Sequence, residues 1–167
     1  MARRDRGRGD ASPSDGSAAL ADRPLMLRYD DVEVGMAIPE LHKRATTRTL
    51  VQFAGATGDF QEIHYDRESA ERSGLPDVIL QGYLKKAYLA EAVVNWVGSP
   101  QRLRRLSAQY RGADVPWRDR APQSFTVRGT VTRMWEENAE KLVEISLEGV
   151  DGDGRVTTPG KAVVALG

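Results

Sequence analysis

Asp59 and His64 stand five residues apart in Phe53-Ala54-Gly55-Ala56-Thr57-Gly58-Asp59-Phe60-Gln61-Glu62-Ile63-His64-Tyr65-Asp66, and His64 is one of only two histidines in the chain. A carboxylate and an imidazole that converge on one water can take and return a proton near neutral pH. Taken singly, Asp59 also reads as a turn residue at a helix end, and His64 as a partly buried histidine bonded to backbone. Spacing alone leaves both readings open. Gly82 adds a third group, because it opens the longest helical pattern in the chain. A glycine there offers an unhindered N–H at the positive end of the helix dipole, able to polarise a carbonyl and hold a developing negative charge on its oxygen. The competing reading is a glycine required by turn geometry after Ile79-Leu80-Gln81.

The elements that must position these groups emerge from local pattern. Ala45-Thr46-Thr47-Arg48-Thr49 suits a short strand by its β-branched content, and Thr49 then reads as the N-cap of a helix over residues 50–56 that stops at Thr57-Gly58. Asp66 to Gly74 reads as a short helix capped by Asp66, with Ser69 and Ala70 inward and Gly74 as terminator. Between the two helices, Gly58-Asp59 and Ile63-His64-Tyr65 frame a short extended link that can turn both side chains toward one point. From Gly82 to Gly98 small and apolar residues cover more than half of a helical circumference, so that helix is expected to be largely buried.

After Gly98 the period changes to two. Leu103 to Arg111 reads as a strand, Val115 to Asp119 as a turn, and Gln123 to Trp135 as a long strand. Lys141 to Val150 alternates apolar with polar, Asp151-Gly152-Asp153-Gly154 is a hairpin turn signal, and Val156 to Thr158 and Lys161 to Leu166 complete the sheet. One long buried helix followed by an antiparallel meander is an α+β pattern.

Composition narrows the chemistry. Of 167 residues, 24 are Lys or Arg and 24 are Asp or Glu, a balance that gives no basis for nucleic acid or an anionic membrane as partner. With no cysteine, disulfides, thiolate catalysis and Cys-ligated zinc are excluded. No apolar run approaches the roughly 18 residues of a membrane span, and the basic start lacks the apolar core of a signal peptide, so a cytoplasmic protein is expected. Residues 1–23 are Arg, Asp, Gly, Ser, Pro and Ala and are expected to form a disordered tail, with one domain over residues 24–167.

The stretch from Phe53 to Asp66 resembles the hydratase motif of MaoC-like, (R)-specific enoyl-CoA hydratases, whose usual form is F-A-x-x-T/S-G-D-x-N-P-I-H-x-D. Ala70, Gly74 and Val78-Ile79-Leu80-Gln81-Gly82-Tyr83-Leu84 are similar to the segment that leads from this motif into the family's central helix. The resemblance extends over roughly residues 26–166. It implies a hot-dog fold, an antiparallel sheet wrapped around a long central helix. It also implies water addition to a 2-enoyl thioester on CoA or acyl carrier protein, or the reverse loss, without metal or redox cofactor. The family's catalytic Asp and His fall on Asp59 and His64, and its carbonyl-binding glycine falls on Gly82. Gln61 and Glu62 stand where the family has Asn and Pro, which bears on rate and substrate range through Gln61. The Asp-Phe-Gln-Glu-Ile-His wording and Val115-Pro116-Trp117 are similar to an actinobacterial subgroup. One of its members is a subunit of a heteromeric hydratase acting on CoA thioesters of shortened steroid side chains. A homodimer, or a heteromer with a second hot-dog subunit, is therefore expected.

Two further readings come from other classes: a non-catalytic hot-dog subunit that completes a partner's acyl pocket, which the retained Asp59 and His64 oppose, and a thioesterase, which the hydratase motif opposes. Arg102, Arg104, Arg105 and Arg111 read as solvated strand residues or as phosphate contacts. Lys85 and Lys86 oppose the dipole of the helix that Gly82 opens, which calls for a functional or interface reason.

Overall fold

The computed structural model describes residues 26–118 and 124–167. The expected tail at residues 1–23 lies outside them, as do Asp119 of the expected turn and Gln123 of the expected strand. The strands are β1 (Leu41–Lys43), β2 (Leu103–Ala108), β3 (Phe125–Glu137), β4 (Glu140–Asp151) and β5 (Val156–Ala165). They form one antiparallel sheet in the order β1-β3-β4-β5-β2. The helices are α1 (Thr47–Thr57), α2 (Arg67–Arg72) and α3 (Gly82–Val97).

The alternation in β4 sends Val143, Ile145 and Leu147 to the face that α3 covers, and all three are buried with Leu84, Leu89, Ala92 and Val93 of that helix. Burying one face of a sheet against one stripe of a helix gives a core from both periods at once. The long helix ends as expected, with Gly98 in the left-handed conformation. Arg102 donates to the carbonyls of Leu27 at 2.6 Å and Val97 at 3.1 Å, so this arginine closes the end of α3.

Several local expectations are corrected. Ala45 to Thr49 is not a strand: β1 lies earlier, at Leu41–Lys43, and the threonines start α1. The Thr46 hydroxyl accepts from the Thr49 N–H while Thr49 Oγ1 accepts from the Thr46 N–H, so Thr46 rather than Thr49 is the N-cap. A reciprocal cap satisfies two orphan donors, and this outweighs the β-preference of threonine. β2 stops at Ala108, although the Gln109 and Arg111 N–H groups still donate to the Pro159 and Thr157 carbonyls. Val115 to Arg118 runs without a turn, held by the Trp117 N–H on the Ala45 carbonyl. Finally, Val156 to Ala165 is one strand through Pro159, whose carbonyl still accepts from Gln109.

Candidate active site

Three short elements bring Asp59 and His64 together. α1 ends on Gly58, whose φ of +77° suits glycine and reverses the chain into Asp59. A single 3₁₀ turn, Glu62–His64, comes next, and the His64 N–H donates to the Gln61 carbonyl at 3.1 Å. Asp66 then caps α2 by accepting from the Ser69 N–H at 2.8 Å. The segment 78–81 runs beside this link, with the Ile79 N–H donating to the Ile63 carbonyl at 3.1 Å.

His64 is buried, and its Nδ1 lies 2.8 Å from the Ile79 carbonyl oxygen. A carbonyl only accepts, so Nδ1 carries the proton and a neutral ring presents Nε2 as a bare base. That Nε2 is 4.0 Å from Asp59 Oδ2, too far for a direct hydrogen bond. One water about 2.8 Å from both atoms fits that gap with an angle of about 90° at its oxygen. The Asp59 side chain keeps 27% exposure against 7% for His64, so the pair has a dry side and a side open to a ligand. Gln61, by contrast, contributes its backbone carbonyl to the turn and leaves its side chain exposed.

Gly82 is the first residue of α3, three positions beyond the carbonyl that orients His64, and no side chain caps the helix there. Its φ is not in the left-handed region, so turn geometry does not require glycine. The position is tight all the same: a Cβ at Gly82 would lie 3.1 to 3.2 Å from three atoms of the Tyr110 ring, which would have to give slightly. No local pattern signals Tyr110, which reaches Gly82 from another part of the fold. Lys85 has its explanation in an ion pair with Asp114, Nζ to Oδ2 at 2.6 Å.

A cavity of about 460 Å³ lies among Asp77, Asp114, Trp117, Arg118, Asp151 and Arg155, and neither Asp59, His64 nor Gly82 lines it. Its Asp77 and Asp151 carboxylates are held by arginines in ion pairs. Burial pushes the Asp77 carboxyl up, but hydrogen bonds from Arg67, then Arg118 and the Val78 N–H, outweigh it and hold the group at about 2.

A family model described as "MaoC like domain" matches residues 33–148. The chain is 29% identical over 99 residues to the 3-oxo-4,17-pregnadiene-20-carboxyl-CoA hydratase beta subunit of Mycobacterium tuberculosis, covering 59% of this chain and 73% of that one. Among solved structures it is similar to the ChsH1–ChsH2 complex from Mycobacterium tuberculosis, with a TM-score of 0.66 at 23% identity over 81% of this chain and 99% of that one. It is also similar to the (R)-hydratase from A. caviae involved in PHA biosynthesis, with a TM-score of 0.70 at 20% identity over 81% and 98%.

Proposed function

Because the chain belongs to the MaoC-like domain family and has the hot-dog fold, we propose that it is an (R)-specific hydratase of 2-enoyl thioesters on CoA or acyl carrier protein, or the dehydratase running in reverse. The observation that carries this reading is the water-sized gap between Asp59 Oδ2 and His64 Nε2, with the far ring nitrogen fixed on the Ile79 carbonyl. The pair binds a water and draws off one of its protons as the water oxygen bonds C3 of the enoyl group. The C2–C3 π electrons move to C2 and the thioester carbonyl, and the pair returns a proton to C2. The net change is one water added. The Gly82 N–H at the start of α3 holds the carbonyl oxygen while its negative charge develops, the stage at which such a donor is worth most.

Hydration of crotonyl-CoA, or of a bulkier enoyl-CoA, followed by loss of enone absorbance, tests the reading. Asp59→Asn and His64→Ala should each lower kcat by about 10²- to 10⁴-fold, the usual worth of a general acid or base. Rates in both variants equal to that of an active wild type would remove the pair from the mechanism.

The relative's designation as a beta subunit favours a second reading, in which this chain completes the acyl pocket of a partner hot-dog subunit. In that case the purified chain is inert alone, and its variants stay as active as wild type once the partner is added. No helix among the described residues is long and apolar enough to cross a membrane.

A further inference from the structure

Lys85 and Asp114 are buried to 2% and 1% exposure, and the water chemistry uses neither. Lys85 Nζ donates to Asp114 Oδ2 at 2.6 Å and to the Gly112 carbonyl at 2.9 Å, and Thr157 Oγ1 donates to Asp114 Oδ1 at 2.7 Å. A cation in the first turn of a helix opposes its dipole, and desolvation offsets most of what a buried ion pair gains. Net stability is therefore a poor account of the pair, whereas fixed geometry is a good one. It ties the first turn of α3 to residues 112–114 and to β5. The Leu80 N–H donates to the Asp114 carbonyl and the Arg111 N–H to the Thr157 carbonyl, which fix the same segment from two more sides.

Tyr110 sits at the head of that segment. Its ring lies against Gly82, 3.1 to 3.2 Å from the place of a Cβ, and Lys85 Nζ is 5.8 Å from its centroid. Tyr110 keeps 48% exposure as a residue, so it is accessible to a ligand. We propose that Tyr110 is a substrate-positioning residue whose ring confines a thioester carbonyl at the Gly82 N–H, and that the buried Lys85–Asp114–Thr157 network holds the ring in place. This rests on the reading of Gly82 as the carbonyl-binding residue.

The probe is butyryl-CoA, a saturated thioester that cannot be hydrated, with CoA as the carbonyl-free control, each titrated into the full chain by calorimetry. Wild type should bind the thioester more tightly than CoA. Tyr110→Phe, which keeps the ring, should retain that preference, and Tyr110→Ala should lose about tenfold of it with CoA affinity unchanged. Lys85→Met should lose it likewise. Should that variant not fold, Lys85→Met/Asp114→Leu leaves no lone buried charge and takes its place. Equal preference in wild type and Tyr110→Ala overturns the role of Tyr110, as does a wild type without preference. Full preference in a folded Lys85 variant overturns the role of the network. A wild type that discriminates through Tyr110 yet hydrates no enoyl-CoA sinks the hydratase reading and leaves the positioning role standing, which keeps the two failures apart.

Discussion

The approach of Asp59 and His64 is legible in the sequence because they lie close together, just past a glycine-ended helix and across one 3₁₀ turn, so it depends on local geometry. The groups packed around them are less local. The Ile79 carbonyl on His64 comes from 15 residues away, and Tyr110 from beyond the end of α3, where the strand-like pattern does not signal its contact with Gly82. Gly82 shows the difference most sharply. Its sequence position suggests either a turn or an N–H donor, and the actual constraint is a tyrosine ring. Gly82→Ala is compatible with the backbone, and the ring need give by only a few tenths of an ångström, so stability should change by less than about 1 kcal/mol. The methyl group and displaced ring would crowd a carbonyl at that N–H, and kcat/KM should fall by about tenfold or more. Thermal melts alongside steady-state kinetics separate the two effects, and unchanged kinetics would show that nothing docks there.

Among the elements, those with a long uninterrupted period are legible, α3 and β4 above all, because burial of one face decides them. Pattern fails where a side chain and not a period sets the structure: the Thr46–Thr49 cap that converts a strand-like run into a helix start, and Pro159 inside β5. α2 shows the same dependence on a single contact. Arg67 of this helix and Arg118 both donate to Asp77, which ties a six-residue helix to the segment that carries the Ile79 carbonyl. The Asp77 carboxyl is depressed from 3.8 to about 2 in the folded chain, despite the opposing push of burial. A depressed carboxyl stabilises the fold fully above its unfolded value and loses that contribution as pH falls through the folded one. Asp77→Asn should therefore be less stable than wild type at neutral pH, with the gap closing between about pH 4 and pH 2 as the wild-type carboxylate takes up its proton. Urea melts at several pH values would read this, and a gap that stays constant down to pH 2 would assign the loss to packing instead of charge.

At the scale of the molecule, the sheet buries only one stripe of α3. Tyr83 at 69% exposure and Ala87 and Asn95 on the same helix face outward. Phe60 at 60%, Tyr65 at 43% and Tyr83 each come directly after a candidate site residue, Asp59, His64 and Gly82. Large aromatic side chains left in water around the candidate site point to a missing surface, since exposed apolar patches of this kind mark interfaces. On the proposed reading, a single chain has Asp59 and His64 in place while the aromatic side chains around them stay uncovered. A second chain, a copy of this one or a distinct subunit, is the covering expected for that face, and a structure similar to this chain is itself a complex. Light scattering should give a mass of about twice 18.4 kDa, either for this chain alone or only after a partner is added. Tyr83→Glu places a charge on that face while leaving the core of α3 untouched, so it should return the chain to a monomer with its melting behaviour preserved. Activity should fall with the loss of the second chain and recover as protein concentration rises. A wild type that is monomeric at micromolar concentration and fully active would mean that one chain closes its own pocket.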